Sequence, residues 1–98
     1  MPLFVISCID NPNSLSVRMA AREAHLAYAN TGEKPVKVKI GGPYLDEKGN
    51  MAGSLLIVDA PDRAAVDQFL RDDPYVKAGL FESVDVRHYR VTVGPPLG

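Results

Sequence analysis

Tryptophan is absent from the chain, and cysteine occurs once, as Cys8. A single cysteine closes no internal disulfide, so the sequence is not a disulfide scaffold. Cys8 stands in an apolar stretch and reads as a buried, inert thiol rather than a nucleophile. This cysteine usage suits a reducing compartment, and a cytoplasmic location is the expectation. Charge of one sign is also lacking: 11 Lys and Arg stand against 12 Asp and Glu, a formal net charge of −1. That balance supplies no basic field for nucleic acid or an anionic membrane surface, so neither is an expected partner. No apolar run approaches the roughly 18 residues of a membrane span. The opening Met1-Pro2-Leu3-Phe4-Val5-Ile6 has neither a basic segment nor a small-residue cleavage site, so no signal peptide is expected. Aromatic content is only 7%, and no aromatic-basic platform for RNA is visible. Gly41-Gly42-Pro43 lacks the lysine and following helix of a phosphate loop. No His, Cys or carboxylate spacing makes a closed metal site, and no cofactor is expected.

What is present is enough for one domain: 98 residues, of which 46% are apolar. The domain is expected over residues 1–91, and the Gly- and Pro-rich residues 92–98 as a loose tail. Leu3 to Ile9 is apolar on both alternating faces, the pattern of a central strand. Asp10-Asn11-Pro12-Asn13-Ser14 is a turn cluster, with Asn13 and Ser14 as helix N-caps. A helix follows to about Asn30, with Gly32 as its stop. Val36 to Ile40 alternates as an edge strand, lysines outward, and Gly41-Gly42-Pro43 breaks it. Asp46 to Asn50 is a polar hairpin loop. Met51 to Val58 is the second strand apolar on both faces, and its small Gly53-Ser54 implies a close approach. Pro61 opens a second helix whose inner face carries Ala65, Val66, Phe69 and Leu70. Asp72-Asp73-Pro74 stops it, a short single-turn segment follows, and Glu82 to Tyr89 alternates as the last strand.

The order β-α-β-β-α-β is the α+β, ferredoxin-like split motif with an antiparallel four-stranded sheet. Its usual strand order, 4-1-3-2, puts the first and third strands at the centre, and those are the two that are apolar on both faces. Two helices cover one face of such a sheet. The apolar face left over predicts a homodimer, sheet packed on sheet, as in a dimeric α+β barrel.

The first helix carries its charges in an unexpected place. At about 100° per residue, Arg18, Arg22 and His25 share one narrow arc. Leu15, Met19 and Leu26 flank it on one side, and Val17, Ala21, Ala24 and Tyr28 on the other. The charges therefore sit mid-face on the side that should pack on the core, where unpaired burial costs several kcal/mol. Either acidic partners meet them or a wet pocket opens there. His25 is the candidate general base, with Asp10, at the end of the first strand, as the carboxylate that orients it. Asp73 is the alternative partner and a candidate for the same pocket. Arg18 and Arg22 can clamp a carboxylate or phenolate, or pair with Asp10, Asp73 or Glu82. Ser54 can donate a hydrogen bond into the cavity or merely save space. His88 reads as an ordinary edge residue. Two functions follow: a small cofactor-independent lyase or isomerase moving a proton on a small anionic or phenolic substrate, or a non-catalytic ligand-binding or accessory dimer.

Asp10, Arg18, Arg22-Glu23-Ala24-His25-Leu26, Gly42-Pro43, Gly53-Ser54 and Asp73-Pro74-Tyr75-Val76-Lys77-Ala78-Gly79-Leu80, with the final Val84-Asp85-Val86, resemble the YciI-like (YCII-related) proteins. The resemblance runs to about Tyr89, and order and spacing carry it more than any single motif. That family is similar to muconolactone isomerase and other dimeric α+β barrels. It implies a ferredoxin-like protomer, a dimer and a pocket with a histidine–aspartate pair proposed as catalytic. Some relatives are similar to dehydrochlorinases acting on hydroxylated chloroaromatics. On this chain the histidine would be His25, with Asp10 chosen as its partner.

Overall fold

Strands apolar on both faces have to lie inside a sheet, and the computed structural model, which describes residues 2–31 and 35–97, shows them there. Strand β1 (Leu3–Asp10) and strand β3 (Met51–Asp59) are central neighbours, with β2 (Lys37–Leu45) and β4 (Phe81–Tyr89) outside them in the order β2-β3-β1-β4. All three pairings are antiparallel. Helix α1 (Leu15–Ala29), helix α2 (Arg63–Asp72) and the single turn α3 (Pro74–Lys77) complete the ferredoxin-like order. Phe4, Ile6 and Cys8 of β1 and Leu56 and Val58 of β3 form the core with Val66 and Phe69 of α2. No helix among the described residues is long and apolar enough to cross a membrane.

Several local expectations are corrected. Ser14 occupies the N-cap position of α1, but its hydroxyl donates to the Pro12 carbonyl and caps nothing. The expected stop at Gly32 lies outside the described residues. Helix α2 begins at Arg63 rather than at Pro61, and Asp62 is its N-cap, its carboxylate accepting from the Ala65 N–H at 2.8 Å. Gly41-Gly42-Pro43 does not end β2, which runs on to Leu45. The strand tolerates Pro43 because it lies at the sheet edge, where a missing N–H need not be answered on the open side. Beyond it, the Asp46 carboxylate accepts from the Lys48 and Asn50 N–H groups at 2.9 Å and closes the hairpin, with Gly49 at φ 84°. The close approach at Gly53 is the Cys8 carbonyl of the neighbouring strand, against which a Cβ would collide.

The flanks of α1 are unequal. Val17, Ala21 and Tyr28 are half-buried, and the Tyr28 hydroxyl donates to the Phe69 carbonyl at 2.7 Å. Leu15, Met19 and Leu26 are exposed, at 41%, 53% and 40%. The flank with Val17, Ala21 and Tyr28 is the packed one, and a gap opens between the other flank and β2.

The sheet face away from the helices is also apolar. Leu3, Val5, Leu55 and Ile57 are half-buried there, and Ile9 is 46% exposed. Ser7 and Tyr44 share a hydrogen bond of 2.8 Å on this face.

Candidate active site

Only two residues of α1 are buried, and both are polar: Arg18 and His25. A guanidinium 2% exposed needs every partner it can find. Arg18 Nε donates to Asp10 Oδ2 and Nη2 to Asp10 Oδ1, both at 2.8 Å, a bidentate pair. Nη2 also reaches the Gly53 carbonyl at 2.8 Å and Ser54 Oγ at 2.9 Å. One side chain thus ties α1 to the end of β1 and the middle of β3. Burial works against the Arg18 charge, but the hydrogen-bonded Asp10 carboxylate outweighs it, and the pKa is raised above its ordinary value.

His25 is held by a different acid. Its Nδ1 lies 2.8 Å from Asp73 Oδ1, in a pair whose side chains are 8% and 2% exposed. The same Asp73 oxygen accepts from the Tyr75 N–H at 2.8 Å, so it caps α3 as well as holding the imidazole. Pro74 at the first position of that turn fixes the geometry. The Tyr75 ring then stacks on the imidazole, with centroids 3.9 Å apart and planes at 12°. The Arg18 guanidinium carbon sits 4.8 Å from the same ring centroid. Burial pushes the Tyr75 phenol above its usual range, against the opposing pull of Arg18 and Arg22.

The expected pairing of Asp10 with His25 is therefore corrected: Asp10 binds Arg18, and Asp73 binds His25. The reason is chain direction. Asp10 leaves β1 beside the first turn of α1, level with Arg18 and seven residues short of His25, about 10 Å along a helix. Asp73 arrives from the α2–α3 junction, level with the helix's later turns.

A cavity of about 230 Å³ lies between α1 and the β2–β3 ribbon. Arg18, Arg22 and His25 line it from the helix, and Lys39 and Ser54 line it from the strands, with Tyr75 at the inner end. Its floor exists because β2 is small there: Gly41 stands opposite Leu56, and Pro43 opposite Ser54, on the helix side of the sheet. Arg22 reaches the cavity from an exposed position rather than from the buried face. Asp10 and Asp73 stand behind the side chains they hold. Among the described residues no group of three or more His, Cys, Asp or Glu could hold a metal ion. Tyr75 and Lys39 were not candidates from sequence. The Asp-Pro-Tyr order, a capping acid with proline at the first helical position, was the available signal for Tyr75. His88 lies on β4 outside the cavity and stacks on Phe4 at 5.0 Å.

These features define an α+β domain with a buried imidazole–carboxylate pair opening on a cationic cavity. The chain belongs to the YCII-related domain family, whose sequence model matches residues 2–90. It is 30% identical to protein YciI of Escherichia coli over 94 residues, which is 90% of this chain and 96% of that protein. Among solved structures it resembles the 5-chloro-2-hydroxyhydroquinone dehydrochlorinase TftG of Burkholderia phenoliruptrix, in complex with 2,5-dihydroxybenzoquinone. The identity is 37% and the TM-score 0.79, covering 90% of this chain and 93% of that one. An antibiotic biosynthesis monooxygenase, 12% identical with a TM-score of 0.60 over 95% of this chain and all of its own, shares the fold alone.

Cys8 lies under this site, and burial, helped by the Asp73 charge, pushes its thiol up to about 12 from 9.0. The folded state holds the proton more tightly than the unfolded chain does. Its contribution to stability is therefore complete below pH 9 and is lost as pH rises toward about 12. Urea unfolding midpoints of the wild type should fall between pH 9 and 11 relative to Cys8→Ala. Parallel midpoints over that range would contradict the buried, protonated thiol.

Proposed function

We propose that the protein is a small cofactor-independent enzyme of the proton-transfer type, a lyase or isomerase acting on a small anionic or phenolic substrate. The observation that carries this reading is the 2.8 Å bond between His25 Nδ1 and Asp73, with the imidazole on the wall of a cavity lined by arginines. An ionised Asp73 keeps the proton on Nδ1, which leaves the Nε2 lone pair as the base. Arg22 holds the substrate anion and stabilises the charge that grows as the proton leaves. Arg18 Nε and Nη2 are taken up by Asp10, Gly53 and Ser54, and Asp10 balances its charge, so what it offers a ligand is its Nη1 donors rather than a net charge. Ser54 accepts from Arg18 and keeps its own hydroxyl proton for a ligand.

A cavity of about 230 Å³ exceeds the roughly 150 Å³ that takes benzene, so one substituted ring fits. Elimination of hydrogen halide from a hydroxylated ring, the reaction class named for TftG, matches the groups present. His25 moves the proton of the hydroxyl beside the halogen onto the halogen-bearing carbon, giving the keto tautomer. It then takes the proton of the hydroxyl para to that carbonyl, whose electron pair forms the second carbonyl and expels halide, leaving a hydroxyquinone.

The test uses 5-chloro-2-hydroxyhydroquinone as probe and chloride release as readout. His25→Gln should lower turnover by the ~10²–10⁴ typical of a lost general base while the fold persists. Asp73→Asn should lower it less, without adding to His25→Gln, because the two act as a unit. Binding of the probe by the wild type with no turnover would make the protein a ligand-binding module instead.

The working form in this reading is a homodimer through the apolar sheet face of Leu3, Val5, Leu55 and Ile57. Sedimentation at micromolar concentration should show two copies. A monomer there would end this part of the reading.

A further inference from the structure

Arg18, Arg22 and Lys39 line the cavity, and among the described residues Arg18 alone of the three is paired with a carboxylate. Arg22 and Lys39 have no carboxylate within ion-pair distance among the described residues. Strand alternation would send Lys39 to the opposite side of the sheet, as the sequence reading expects. The register shows why it does not go there. Val38 stands opposite Val58 and Ile40 opposite Ile57, so Lys39 is the extra residue of a β-bulge. Val58 is buried in the core, and Val38 packs against that core from the same side of the sheet. Lys39, inserted directly after it, is half-buried and lines the cavity beside Leu56 and Gly41. The same insertion sets Ile40 opposite Ile57 and leaves it 52% exposed at the cavity rim, against the expectation that it faces in. A bulge that exposes an isoleucine and half-buries an unpaired lysine has no evident return in stability. Bulges are found next to active sites because they re-aim a side chain.

We propose that Lys39 forms a second anion subsite on the β2 wall, facing Arg22 on α1, so that the cavity selects a single-ring substrate carrying two acidic oxygens over one carrying a single acidic oxygen. The inference rests on the cavity being the substrate site, and it deepens that reading by naming the substrate class. Arg22 takes one oxygen and Lys39 the other, and the ring between them lies against His25 and Tyr75. Lysine suits the role because its ammonium is a compact charge on a flexible stem with three donors.

The test is equilibrium binding, which needs no turnover. 2,5-Dihydroxybenzoquinone, with two acidic hydroxyls, and 2-hydroxy-1,4-benzoquinone, with one, are titrated calorimetrically into the wild type, Lys39→Met and Lys39→Arg at a pH where the hydroxyls are ionised. Melting temperatures confirm that each variant folds. The wild type should bind the two-hydroxyl ring more tightly, on the order of tenfold, as expected for one charge-assisted contact in a half-buried site. Lys39→Met should remove that preference and leave binding of the one-hydroxyl ring within about twofold, a change small against the tenfold effect of one such contact. Lys39→Arg should restore most of it. A preference that survives in Lys39→Met, an equal loss for both probes, or a wild type that binds neither overturns the proposal. The His25→Gln variant separates the two readings: it should lose turnover and keep the preference. A preference that disappears only in Lys39→Met while wild-type turnover is absent supports the subsite and sinks the enzyme.

Discussion

A guanidinium buried at 2% exposure is the constraint that the rest of this structure answers. An unpaired charge there would cost several kcal/mol, so the chain surrounds Arg18 with the Asp10 carboxylate, the Gly53 carbonyl and the Ser54 hydroxyl. The acceptors come from two strands: the end of β1 and two successive residues of β3. The pair therefore sets how α1 lies on the sheet. Apolar residues of similar volume often stabilise a core as well as a buried ion pair does. Stability is thus a poor reason for placing Arg18 here, and the shaping of the adjoining cavity is a better one.

That cavity depends on small residues and on one irregularity. Gly41, Pro43 and Ser54 leave the helix side of the β2–β3 ribbon low, and the flank of α1 that faces them stays exposed, which leaves the gap unfilled. A Cβ on Gly41 would meet the end of the Leu56 side chain, which borders the same cavity. The β2 bulge then brings a lysine into a space that already contains two arginines. Asp73 meets the same economy from the other end. One of its oxygens caps α3 and holds the imidazole, so the turn that places Tyr75 also orients His25.

Much of this was legible beforehand because hydrophobic alternation reports on sheet position. Two-sided apolarity in Leu3–Ile9 and Met51–Val58 marked the central strands, and the strand order agrees with that. Helical phasing brought Arg18, Arg22 and His25 together, and the structure sets all of them on the cavity. Carboxylate partners were harder. Asp10 and Asp73 both lie within reach of the helix face, and only the direction of the chain decides which acid meets which cation. Bulges were not legible at all. A single extra residue in β2 reverses the faces of Lys39 and Ile40, and nothing in Val36-Lys37-Val38-Lys39-Ile40 announces it. The role of Tyr75 depended likewise on a one-turn helix too short for periodicity to reveal.

The central claim is that Asp73 keeps the His25 proton on Nδ1 and leaves Nε2 free toward the cavity. Imidazole ¹⁵N chemical shifts, read by two-dimensional NMR on the uniformly labelled protein with His88 assigned by substitution, measure this directly. The account predicts a neutral His25 protonated at Nδ1, with a bare Nε2, and a shift toward the other tautomer in Asp73→Asn. A proton on Nε2 in the wild type, or a tautomer indifferent to Asp73→Asn, would contradict it.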